Sequence, residues 1–250
     1  MNRLLSERLL CIARQVRAGQ TLADVGCDHG YLPIYLVQKG CMQRAIAMDI
    51  NEGPLQRASK HIEQEALGSY IETRQSDGLE KLIPGEADAV IIAGMGGNLM
   101  MDILTRGEAV VRTLEQLILE PQSELAGVRT FLREHDYFIE DEDLVLEDGK
   151  YYPILRVLPK KTSDVLTFSK ESGLPLSVLD AYGHRLLAAR HAVLVSFLEK
   201  ERRQCEQILA GLPTEGAGSE RIALRRAELA EWIDRNRIAT AYINIKEGEY

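Results

Sequence analysis

Seven short apolar runs, separated by stretches of helical periodicity, leave the first 160 residues few ways to fold. The runs are TLADVG, RAIAMDI, YIETRQSD, ADAVIIAG, QLILEP, YFIEDEDLVLED and YYPILRVL. Between most of them lie amphipathic patterns such as EGPLQRASKHIEQEA and SELAGVRTFLREHD. Alternation of strand and helix patterns predicts an α/β fold, a parallel sheet covered by helices on both faces. The last two runs meet through EDGK, whose Asp148-Gly149 pair is turn chemistry, so an antiparallel hairpin should finish the sheet.

Elements outside the sheet follow from spacing. Leu5, Leu9, Ile12 and Val16 recur at helical intervals, which predicts an opening amphipathic helix. After LPKKTSD the strand signal fades, and a boundary is expected there, with domains at 1–160 and 161–250. From Leu176 to Leu209 apolar residues recur every three or four positions in a heptad-like seam. GLPTEGAG interrupts it, and a second helix is expected from Ser219, giving a helical hairpin.

Charge and cysteine usage narrow the function. The net charge is −8, carried entirely by residues 1–160, while residues 161–250 are neutral. That argues against indiscriminate nucleic-acid binding. The opening segment runs against the trend, with Arg3, Arg8, Arg14 and Arg17 opposed by Glu7 alone. Cys11, Cys27, Cys41 and Cys205 show no C-x-x-C spacing and no companion histidine cluster, so no metal is expected. Reduced thiols, no apolar signal core and no span-length apolar run read as a soluble, cytoplasmic protein without membrane contact.

The chemistry should lie where parallel strands end. Those ends carry Gly26-Cys27-Asp28, Asp49-Ile50-Asn51, Asp77-Gly78 and Ala93-Gly94-Met95-Gly96-Gly97. Asp49 follows Gly26 by 23 residues, the distance at which an acid can accept from both hydroxyls of a ribose. A nicotinamide dinucleotide would need glycine at positions 28 and 31, which here are Asp28 and Tyr31. A carboxylate in that turn repels a pyrophosphate by several kcal/mol, on the order expected for a partly buried charge pair. S-adenosylmethionine has no phosphate, and its ammonium and sulfonium groups are cationic, so Asp28 becomes favourable. Asp49 would then hold the ribose and Asp77 the adenine amino group, with the AGMGG turn closing on the methionine side.

In this order, ADVGCDHGYLP, EGPLQRA, DGL, VIIAGMGG and LILEPQ resemble the bacterial tRNA (adenine(22)-N1)-methyltransferase family TrmK. The resemblance is specific as far as about Pro159 and one of architecture beyond it. It implies a class I, Rossmann-like methyltransferase domain that uses S-adenosylmethionine, a helical extension that helps hold tRNA, and methylation of adenosine at N1. Cys27 stands where the family usually has serine, and LEPQ where it usually reads Leu-Gln-Pro-Asn, which puts a carboxylate at Glu120. Gln122 keeps the amide chemistry with a longer reach.

Within that frame Asp28 is the expected catalytic carboxylate. Gly26, Cys27, Asp28, Asp49, Ile50, Asn51, Asp77, Gly78, Ala93, Gly94, Met95 and Gly96 form the expected cofactor cradle. His29, Tyr31, Pro33 and Gln122 are expected to meet the base, and Arg8 and Arg14 the phosphate backbone, aided by Arg202, Arg203, Arg221, Arg225 and Arg226. A monomer is expected. A non-catalytic module on the same fold, and a methyltransferase for another substrate, are the alternative readings.

Overall fold

The computed structural model describes residues 5–160, 164–213 and 220–244. Two compact units emerge, Met1–Thr162 and Ser163–Tyr250. Arg3, residues 161–163 of the expected boundary, most of the GLPTEGAG break and Ser219 lie outside the described residues.

In the first unit α1 (Glu7–Gln15) leads into β1 (Gly19–Val25), α2 (Tyr31–Gln38), β2 (Met42–Asp49), α3 (Glu52–Gln64), β3 (Ile71–Gln75) and β4 (Ala89–Met95). Then come α4 (Gly97–Arg106), α5 (Glu108–Val111), β5 (Gln116–Pro121), α6 (Leu125–Glu134), β6 (Phe138–Glu147) and β7 (Lys150–Leu158). All seven apolar runs are strands, in the order β3-β2-β1-β4-β5-β7-β6. The first five are parallel, and β7 lies antiparallel to both β5 and β6. The order reverses between β1 and β4, which opens a crevice at their carboxyl ends.

Alternation along the central strands explains the two-sided core. Val90, Ile92, Leu117 and Leu119 face Met100, Leu104, Val128 and Leu132 from α4 and α6. Ala89, Ile91 and Ile118 face Ile12, Leu36 and Ala58 from α1, α2 and α3. Strands buried on both faces read as continuous apolar runs, as these do. The α1 helix is capped by Ser6, whose Oγ accepts from the Leu9 N–H at 3.3 Å.

β6 is an edge strand carrying a run of acids, and nearly every one is engaged. Glu140 meets Arg17 at 2.6 Å and Arg156 at 2.9 Å, and Asp141 meets Arg156 at 3.3 Å. Buried Glu142 accepts from Arg129 at 2.7 Å, and Asp143 accepts from Cys11 Sγ at 3.0 Å. The pairing register shifts between Ile139 and Asp141, a bulge that turns Glu142 inward.

The second unit corrects the expected two-helix hairpin. It holds α7 (Asp164–Ser172), α8 (Leu176–Tyr182), α9 (His184–Ala188), α10 (Ala192–Gly211) and α11 (Glu220–Asn244). The seam from Leu176 to Leu209 is broken at Gly183, φ +83°, and at Arg190, φ +47°. Left-handed backbone cannot continue a helix, so the apolar period survives in sequence while the helix does not. α10 and α11 do form the expected antiparallel pair, pinned by a buried network in which Tyr182 and Asn236 both donate to Glu201 Oε2, at 2.6 and 2.9 Å. Among the described residues no helix is long and apolar enough to cross a membrane, and no cluster of His, Cys, Asp or Glu could hold a metal ion.

Candidate active site

The turn after β1 is built on reversed backbone. Gly26, Asp28 and Gly30 take φ values of +78°, +44° and +71°. Gly26 and Cys27 both donate their N–H to the Met48 carbonyl, at 2.8 and 3.0 Å, which ties the turn to the end of β2. At Gly30 a Cβ would lie 3.2 Å from that of Ala58 on α3, so the glycine lets α2 start against its neighbour. The turn after β4 comes equally close: Met95 Cε lies 2.5 Å from where a Cβ on Gly26 would stand. Met95 is thus the apolar wall between the two glycine turns.

The structure separates the expected cradle residues into three groups. Asp49 is half-buried at the end of β2, with Oδ1 accepting from the Asn51 N–H at 2.9 Å, while Ile50 and Asn51 are exposed beside it. Ala93, Gly94, Met95 and Gly96 line the β4 turn, with Gly94 exposed at φ +78°. Asp77 is held on both oxygens by Arg106 of α4 at 3.2 Å. Gly78 is buried, and its missing Cβ makes room for Ile103 at 2.9 Å, so it serves packing.

Three expectations are corrected. Pro33 does not face a substrate; it is buried in the first turn of α2, where its missing N–H is one of the donors a helix start leaves unpaired. Cys27 packs its side chain into the core beneath α2, its N–H is spent on Met48, and burial pushes its thiol up, so it presents nothing to a ligand. Arg8 is only partly exposed, and its guanidinium is engaged within the fold. It turns under the β4 turn, 3.2 Å from Glu120 and with its guanidinium over the Tyr152 ring at 4.9 Å. Arg14 is exposed, as a phosphate contact requires.

Asp28 is exposed and paired with Arg57 of α3 at 2.7 Å, with His29 Nε2 at 3.5 Å from its other oxygen. His29, Tyr31 and His61 form a triangle of rings. Their centroids lie 5.1, 5.3 and 5.5 Å apart and their planes within 26° of one another. Three near-parallel rings all this close cannot form a column, whose outer members would be roughly twice as far apart as adjacent ones at the usual aromatic spacing. They form instead a stepped tile. His61 is fixed by a 2.9 Å contact between its Nδ1 and the His29 carbonyl. Gln122 is exposed, and its N–H donates to the Met95 carbonyl at 2.8 Å, which joins the β5 and β4 turns.

Sequence reasoning missed Asp24, Arg57 and His61. Asp24 is buried one residue before the end of β1, and burial first, then the charge of Asp49, push its carboxyl up to about 7. Its signal was present: an acid inside an otherwise apolar strand is rare without a partner. Arg57 and His61 lie one turn apart on α3, and only the folded chain brings that face to the β1 turn.

The residues fit S-adenosylmethionine. Asp24 and Asp49 repel one another at the strand ends, an arrangement relieved by a cation and aggravated by phosphate, while Asp28 nearby is already paired with Arg57. Asp49→Ala is expected to weaken the binding of this cofactor about ten- to hundredfold, the worth of hydrogen bonds to a charged acceptor, without unfolding the chain. Calorimetric titration measures it; an unchanged dissociation constant would remove Asp49 from the site.

The comparisons agree with this geometry. A family model described as a methyltransferase domain matches residues 5–155. The tRNA (adenine(22)-N(1))-methyltransferase of Bacillus subtilis (strain 168) is 36% identical over 232 residues, covering 92% of this chain and 95% of the relative. The crystal structure of the B. subtilis M1A22 tRNA methyltransferase TrmK superposes with a TM-score of 0.84 at 32% identity, over 95% of this chain and 99% of that one. TrmK of M. capricolum, solved with the cofactor product S-adenosyl-homocysteine, superposes with a TM-score of 0.80 at 27% identity, over 97% and 100% of the two chains. Matched along nearly its whole length and carrying an acid-lined glycine turn at its strand ends, the chain belongs to the tRNA (adenine(22)-N(1))-methyltransferase family.

Proposed function

We propose that this protein methylates N1 of adenosine 22 in tRNA, with S-adenosylmethionine as donor. The observation that carries the reading is the glycine turn of β1, where Asp24, Asp28 and Asp49 gather around backbone that a cofactor can approach. When bound, the cofactor supplies an electrophilic methyl group on a sulfonium sulfur. Asp49 holds the ribose. Asp24 and Asp28 supply the negative charge that a cationic ligand needs at this end of the sheet.

The His29–Tyr31–His61 tile gives the target base a face to stack on once it has turned out of the tRNA. Holding the N1 lone pair in line with the methyl group is most of the catalysis, and well-oriented reactions gain roughly 7–11 kcal/mol this way. Methylation leaves the base cationic, and Asp28 stabilises that charge, with Arg57 setting the carboxylate's direction. The exposed Arg14 on α1 and Arg202 and Arg221 on the second unit supply cations for the phosphate backbone. The protein acts in the cytoplasm, where its tRNA substrate resides.

Incubating the protein with unmodified tRNA and labelled cofactor, then mapping the product by mass spectrometry, tests the reading. Methyl transfer to a base other than adenosine 22, or none, would refute it. Asp28→Asn keeps the shape and removes the charge, and single-turnover methylation at saturating cofactor and tRNA should slow about tenfold or more while tRNA affinity holds. A wild-type rate in that variant would make Asp28 a binding residue only.

A further inference from the structure

Beneath the β4 turn lies an ion pair that the proposed mechanism leaves unused. Glu120, at the end of β5, is 0% exposed, and its Oε2 accepts from the Gly94 N–H at 2.7 Å and from Arg8 at 3.2 Å. Its other oxygen, Oε1, is buried and has no hydrogen-bond partner, and neither has the buried Nε of Arg8. Buried polar atoms are nearly always paired in native folds, so an orphaned acceptor and an orphaned donor on two adjoining side chains need a reason. The pair stands where strands 4 and 5 end, and Gly94, the residue directly over Glu120, is exposed. The carboxylate therefore sits one residue's thickness below the exposed surface of the β4 turn.

We infer that Glu120 reads the exocyclic amine of the target adenine: Oε1 accepts a hydrogen bond from N6–H, and Arg8 keeps the carboxylate in place. This rests on the adenosine reading above. Adenine carries a donor at C6 beside N1, where guanine carries an acceptor. A buried carboxylate favours the first and repels the second, and a site built to pair a polar group rejects the analogue that lacks it. The contact also draws charge from the amine toward N1, the atom that attacks. Reaching Oε1 requires the Gly94–Gly96 turn to lift, and its glycines supply the backbone freedom.

The test removes the amine from the substrate and the acceptor from the protein. Methylation is measured as kcat/KM on tRNA carrying adenosine, or purine ribonucleoside with hydrogen at C6, at the target position. The proteins are the wild type, Glu120→Met and the double variant Arg8→Met/Glu120→Met, whose folding is checked by cofactor binding. The double variant leaves no buried unpaired charge, so it carries the comparison if the single one fails to fold. The adenosine-to-purine ratio should fall roughly ten- to hundredfold from wild type to variant, the worth of a hydrogen bond to a charged acceptor. An unchanged ratio with both rates lowered would show that Glu120 only holds the Gly94 turn, and would overturn the inference. Failure of the wild type to methylate adenosine tRNA at all would sink the adenosine reading first, and this contact with it.

Discussion

Gly97→Ala is expected to abolish most methyl transfer and to lower stability by about 1–3 kcal/mol, the usual cost of overpacking a tight site. A Cβ on Gly97 would stand 2.5 Å from the Ser123 carbonyl oxygen and 2.8 Å from Val128 Cγ2. The first of these is backbone and cannot swing aside. The clash forces the start of α4 away from the β5 turn, stretching the Gly97 N–H to Ser123 Oγ contact at 3.3 Å and the Gln122 N–H to Met95 carbonyl bond at 2.8 Å. A misplacement of about 1 Å in a site that works by positioning can cost a hundredfold in rate. Thermal melts and methylation assays beside Gly68→Ala, which meets nothing within 4 Å, check it. A Gly97→Ala chain as active as the control would show that the two turns move independently.

Asp24→Asn should separate stability from binding, in opposite directions. The native carboxyl holds its proton up to about pH 7, whereas the unfolded one releases it near 3.8. Between those values the native state binds more protons, so stability falls as pH rises through the window, by up to about 4 kcal/mol above pH 7. The amide never ionises, so the variant should melt higher than wild type at pH 8, and the gap should close as pH falls toward 3.8. Cofactor affinity should move the other way, dropping about tenfold or more at pH 8 because a carboxylate facing a cation is lost. Equal melting temperatures across that range would mean that Asp24 is not buried as a charge. Stability yielded for binding in this way is common where a site holds unpaired charge before its ligand arrives.

What could be read from the chain follows from what each signal depends on. The strands and their parallel sense were legible because strands buried on both faces are apolar throughout and because helical patterns lie between them. The β1 turn was legible because reversed backbone calls for glycine, at Gly26 and Gly30. Pro33 was expected at the base only because it adjoins the β1 turn in sequence, while the helix begins at Tyr31 and simply tolerates a proline in its first turn. The breaks at Gly183 and Arg190 escaped because side chains on either side of a kink can keep facing the same core. Glu120 stood out in sequence only as a departure from a family pattern; its pairing with Arg8, 112 positions earlier, is a tertiary fact that no local spacing encodes.

The acids of β6 bear on a property outside catalysis. An outermost strand leaves one row of backbone donors and acceptors open, a template on which a second chain could add itself edge to edge and begin an aggregate. Glu140, Asp141 and Asp143 punctuate this one with charge, and the bulge at Ile139–Asp141 interrupts the straight register that such growth requires. Because Arg17 and Arg156 hold Glu140 and Asp141 in place, neutralising either arginine frees a carboxylate, whereas replacing the acids with valine or threonine would leave a flat, sticky margin. The last strand of the sheet thus carries charge and a bulge that both work against edge-to-edge growth, on residues that play no part in holding the base or the cofactor.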